Sequence, residues 1–180
     1  MLRVALVGLA LATLAGCSPT SDPAPSPTAP TAPGLAGTPL EVPCSALVDP
    51  DAVLPLWPGL AVADAGAGAA DDLPADVVRV ADLDGTVCRY VADGGVEMTV
   101  AVAEPDAESL DRIANGLVTT STAVPTYGVE GYFERTGGSG TAEAVGPPWW
   151  VVASSEAFVE PGDAEPVVAA ALAALAAERP

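Results

Sequence analysis

The sequence predicts an α+β domain: an antiparallel sheet with helices packed on one face, tied by one disulfide and preceded by a disordered linker. Three observations carry this. Two alternating runs, Thr86–Ala92 and Val96–Ala103, flank Asp93-Gly94-Gly95, the composition of a tight hairpin turn. Leu110, Ile113, Ala114 and Leu117 follow at helical spacing. Prolines at 19, 23, 25, 27, 30, 33 and 39 block helix and sheet pairing before the domain.

The chain opens with Met1-Leu2-Arg3 and an uncharged apolar run, Val4 to Ala15. A membrane-spanning helix needs about 20 apolar residues, so this run has the length of a secretory signal instead. It ends in Leu14-Ala15-Gly16-Cys17, which resembles the bacterial lipoprotein box. The resemblance implies a diacylglycerol group on the Cys17 sulfur and cleavage after Gly16. Each buried methylene contributes ~0.8 kcal/mol, and two or more acyl chains give a stable anchor. Residues 1–16 are thus read as a lipoprotein signal peptide and residues 17–39 as a lipidated cysteine with a Pro/Thr/Ser-rich tether. Residues 40–180 are read as the domain on the extracellular face of the cell membrane.

Within the domain the first expected element is a helical turn over Ser45–Leu54, with Asp49 as cap and Pro50 in the first turn. Residues 63–76 read as a loop and Val77–Val80 as a short strand. The hairpin follows. Val96, Met98, Val100 and Val102 share one of its faces. A helix over Pro105–Leu117 carries acidic residues in its first turn, where negative charge is favoured. Strands are expected at Val129–Glu134, Thr141–Val145 and Trp149–Ser154, and a last helix over Asp163–Ala177. Helices and antiparallel strands in this order suit an α+β fold.

Composition limits the partners. There are 24 acidic residues against 6 basic ones, and the net charge is −18. That balance argues against nucleic acid and against anionic lipid headgroups, and favours a soluble monomeric domain. With no His and no Lys, the usual general base and the usual neutral metal ligand are missing. No cofactor is expected. With Cys17 taken by lipid, Cys44 and Cys88 remain as an even pair in an oxidising compartment, where a bridge is the default. Closing a loop of that length gives about 4 kcal/mol in the chain-entropy model.

Val80-Ala81-Asp82-Leu83-Asp84-Gly85-Thr86 resembles the first motif of haloacid-dehalogenase-like phosphatases. There the first carboxylate is the nucleophile and the second the acid/base, beside Mg²⁺. That family also needs a later cation, a later acidic pair and a parallel α/β core, and a hairpin follows here instead. Asp82 and Asp84 therefore read as turn and surface carboxylates, and a metal-dependent phosphatase is kept as the alternative. A calcium site from Asp71, Asp72, Asp82 and Asp84 lacks the usual ligand spacing. Ser139 sits in a glycine turn without a His partner. Trp149 and Trp150 are adjacent, so on a strand they face opposite sides. One belongs to the core, and the other is a candidate exposed binding contact. Tyr127, Tyr132 and Phe133 read as packing.

The lipid cysteine, the tether, Pro43-Cys44-Ser45 and Cys88-Arg89-Tyr90 together resemble a group of actinobacterial surface lipoproteins of unknown function. The group implies no catalytic residues. The expectation is a non-catalytic, membrane-anchored lipoprotein that binds an envelope protein or small ligand. A structural or modulatory subunit of a membrane complex is a further alternative.

Overall fold

Alternation along one long strand decides where everything else goes. The computed structural model describes residues 34–63 and 73–178. In it Val96–Pro105 (β4) pairs with Trp149–Ser155 (β8) at the centre of an eight-stranded sheet. The remaining strands are β1 (Gly37–Thr38), β2 (Ala61–Val62), β3 (Thr86–Ala92), β5 (Thr122–Ala123), β6 (Glu130–Thr136) and β7 (Ser139–Gly146). The order across the sheet is β2-β3-β4-β8-β7-β6-β5, with every pairing antiparallel, and β1 adds to the far end of β4. The expected hairpin forms in register, Ala92 opposite Val96, with Gly94 and Gly95 both at φ 80°. A side chain there would be strained, which is why glycines fill the turn.

The helices are α1 (Cys44–Leu47), α2 (Pro50–Val53), α3 (Ala75–Asp82), α4 (Ala107–Thr120) and α5 (Pro161–Glu178). Asp49 caps α2 as expected, accepting from the Asp51 amide at 3.0 Å. On one face of the sheet Val100, Val102, Val151 and Ala153 pack with Leu47, Val53, Phe158, Val168 and Leu175 from α1, α2, α5 and the loop before α5. On the other, Ala101, Ala103, Trp150 and Val152 pack with Val77, Val80, Leu110, Ile113 and Leu117 from α3 and α4. The antiparallel sheet and the single disulfide match expectation. The helices exceed it, covering both faces. The long strands are apolar on both sides, and each side needs a cover. Cys44 and Cys88 are bonded, with Cα atoms 5.4 Å apart. The Tyr90 hydroxyl donates to the Cys44 carbonyl at 2.7 Å. Burial pushes that phenol's pKa well above its usual value.

Two expected elements change. The Val77–Val80 strand is part of helix α3. A four-residue apolar run has no period of its own. Pro74 before it and buried Val77 and Val80 at i, i+3, with Val78 exposed, settle it as helical. The tether also ends sooner than Pro39. Leu35 packs beneath α4, and Ala36 accepts from the Asp106 amide at 2.9 Å and donates to Ser109 Oγ at 2.9 Å. Two residues then pair with β4, so the folded unit begins at Gly34. Prolines 33 and 39 bracket this short strand without entering it. Residues 1–33, with Cys17, and residues 64–72, with Asp71 and Asp72, lie outside the described residues.

Candidate functional site

Antiparallel register lines up side chains in rows across the sheet. On the face under α3 and α4, one row runs Val87, Ala101, Val152, Glu143, Tyr132 across β3, β4, β8, β7 and β6. The next row towards the β3–β4 turn runs Arg89, Thr99, Ser154, Thr141, Glu134. The first row is mostly apolar. Every member of the second is polar, although Thr99, Ser154 and Thr141 are each less than a tenth exposed.

A hydroxyl buried without a partner is costly, so each one needs accounting for. Ser154 Oγ lies 3.2 Å from Thr141 Oγ1 and donates to the Gly140 carbonyl at 3.3 Å. Ser155 Oγ donates to the Glu97 carbonyl at 2.6 Å and accepts from the Ala157 amide. Thr99 is 7% exposed and makes no side-chain hydrogen bond to any described residue.

Above this row is a cleft of about 690 Å³ lined by Pro74, Arg89, Glu97, Thr99, Ser139 and Ser154. It adjoins a second hollow of about 290 Å³ bordered by Pro74, Asp76, Glu134, Ser139 and Thr141. Pro74 and Ser139 belong to both, so the two form one trough across the row beneath the start of α3. No side chain caps that helix end. Ser139 reaches the trough because the turn ends two residues earlier than expected, before the strand start predicted at Thr141. Gly137 and Gly138 take the positive φ angles and Ser139 opens β7. Gly140 beside it can only be glycine without rearrangement, because a Cβ would meet Phe133 and Phe158 at 2.8 Å.

Further along the face, Glu143 forms the floor of a crevice of about 290 Å³ between α3 and α4. It is 1% exposed and accepts from Trp150 Nε1 at 2.9 Å. Burial pushes its carboxyl up to about 8, reinforced by nearby Asp76 and Glu134 and opposed by the Trp150 bond and by Arg79. The Arg79 guanidinium lies 5.1 Å from the Trp150 ring centroid and pairs with Asp76 at 2.7 Å. One arginine thus joins α3 to the sheet by a cation–π contact and holds a carboxylate over the crevice.

The residues singled out in sequence fare differently. Trp149 and Trp150 do face opposite sides, but neither is an exposed contact: both are buried, at 8% and 0%. The helical cover on each face is the reason. Tyr127, Tyr132 and Phe133 are core, as expected. Asp82 and Asp84 lie at the end of helix α3, where the phosphatase-like motif would require the end of a strand. The Gly85 amide donates to the Val80 carbonyl and the Asp84 amide to the Ala81 carbonyl, both at 3.0 Å. Asp84 at φ 55° occupies the left-handed position of this helix-ending motif. A further hollow, about 760 Å³, is an open groove beside Asp84 and Leu40. Its hydroxyl is already engaged, since Thr86 Oγ1 donates to the Leu40 carbonyl and accepts from the Val42 amide. The trough is therefore the better candidate site. Among the described residues no three His, Cys, Asp or Glu are placed to hold a metal ion, and no helix is long and apolar enough to cross a membrane.

Sequence reasoning missed Thr99, Thr141, Ser154 and Glu143 as a group. The signal was present in the alternation of Ser139, Thr141 and Glu143, a polar stripe that reads as facing water. Comparison of the chain with protein-family models, with curated proteins and with solved structures found no match.

Proposed function

We propose that this protein is a lipid-anchored binding protein on the outer face of the cell membrane, holding a ligand in its polar trough without transforming it. The observation that carries the reading is the Cys44–Cys88 bridge in the folded unit. A structural disulfide belongs to an oxidising compartment, in keeping with the signal-like start and Cys17. The position of Asp82 and Asp84 at a helix end favours binding over phosphoryl chemistry.

The test is fractionation of cells expressing the native chain or Cys17→Ser, with mass spectrometry of the purified native protein. The expected result is a membrane-bound native form that begins at a diacylglyceryl-modified Cys17, and a variant that is not processed in this way. Identical partitioning and processing of the two forms would defeat the reading.

A further inference from the structure

We infer that the trough over the Arg89–Glu134 row is a binding site for a neutral, polyhydroxylated ligand, a short oligosaccharide. The inference rests on the binding reading above and adds the chemical class.

The first ground is the unfinished hydrogen bonding. Thr99 lines the trough, is 7% exposed, and makes no side-chain hydrogen bond among the described residues. A fold that needed only a covered sheet would place an apolar side chain there, as it does two residues on at Ala101. A nearly buried hydroxyl whose bonding capacity is open to a cavity is instead matched by a ligand oxygen. Ser139 offers a second hydroxyl to the same space. Hydroxyls both donate and accept, so they suit a ligand that does the same.

The second ground is charge. Arg89, Glu97 and Glu156 line one end of the trough, and Glu134 and Asp76 the other, with Asp76 paired to Arg79. The uncapped start of α3 adds a partial positive charge over the middle. An anion meets Glu97 and Glu134, and a cation meets Arg89 and the helix end. The carboxylates, which outnumber the cations, turn an anion away, and Arg89 with the helix end stands against a cation, so a neutral hydrogen-bonding molecule is the better match.

The third ground is shape. The row crosses five strands, which at ~4.8 Å per step makes a trough roughly 19 Å long. That suits an extended ligand of several units.

The test uses the full chain in a detergent without a sugar headgroup. Neutral trisaccharides of glucose, mannose and N-acetylglucosamine are titrated by saturation-transfer NMR, with inorganic phosphate and tetramethylammonium as charged probes. At least one trisaccharide is expected to bind in preference to both ions. Thr99→Val keeps the shape of the side chain and removes the hydroxyl, and should weaken that binding about tenfold with the fold intact. Ser139→Ala, at a half-buried position, should weaken it less and serves if the first variant fails to fold. The inference is overturned if no trisaccharide binds, if either ion binds more tightly, or if both variants bind sugar like the native chain. Any of these leaves the membrane-attachment test untouched.

Discussion

The two faces of the sheet differ in what they give up for burial. The face under α1, α2 and α5 is apolar over most of its length. Phe158 is fully buried there, edge-on to Trp57 with ring centroids 5.7 Å apart, and the disulfide closes one side. The face under α3 and α4 is apolar only at one end. Beyond Val152 it carries a buried carboxyl and then a full row of polar residues. A sheet stabilised mainly by burial has no use for that row. Apolar burial dominates one face, which leaves the other free to hold polar groups in fixed positions.

The strongest way to break this contrast is to damage the apolar face. Phe158→Ala should cost about 3 to 5 kcal/mol in denaturant unfolding, because its neighbours cannot close the cavity. A loss below about 1 kcal/mol would mean that this face is not the main support. Replacing Cys44 and Cys88 together by Ser should cost about 2 to 4 kcal/mol in the same measurement, since the bridge restricts the unfolded chain.

Glu143 tests the mixed face. Its carboxyl is raised from 4.5 to about 8, so between those values the folded state keeps a proton that the unfolded chain has released. Stability from this group is therefore lost as pH climbs through that window, by at most about 1.4 kcal/mol per pH unit. Glu143→Gln keeps an acceptor for Trp150 Nε1 and should flatten the slope, as seen in the native-minus-variant difference across a series of unfolding curves. Parallel pH profiles would show that the carboxyl is already ionised when folded.

The gentlest changes sharpen the contrast. Thr99→Val should change stability by less than about 1 kcal/mol in denaturant unfolding, because its hydroxyl is open to the trough rather than buried without a partner. A variant of unchanged stability that binds less well is the signature of a functional residue. Arg79→Met should cost about 1 kcal/mol or less, since it loses one cation–π contact and a half-exposed ion pair.

Much of the fold was legible because its patterns are local. The Asp93-Gly94-Gly95 turn announced the hairpin, and Leu110, Ile113 and Leu117 announced α4. α5 starts two residues before its expected position because Asp163 accepts from the Val159 and Glu160 amides and draws Pro161 and Gly162 into the first turn. The misread parts depend on distant neighbours. Val77–Val80 could not declare a period in four residues. Gly34–Pro39 read as tether because nothing in its own composition reveals a partner strand 67 residues away, the offset from Gly37 to Pro105 being 68 and from Thr38 to Glu104 being 66. The candidate site was hidden for the same reason. Thr141 and Glu143 look like water-facing positions on an alternating strand, and only the second helical layer buries them. Trp149 and Trp150 drew attention through size, yet size made them core.

The short pairing of β1 with β4 also has a mechanical consequence. A pull along the chain from the residue 33 side meets Leu35 and Ala36, then Gly37 and Thr38, and these few contacts opened one after another resist little. Peeling would free residues 34–43 and lengthen the leash by about 30 Å. It would then stop at Cys44, where a covalent bond hands the load to the middle of β3. The domain would hang from its sheet by a sulfur clasp, with its interior shielded from a pull on the residue 33 side.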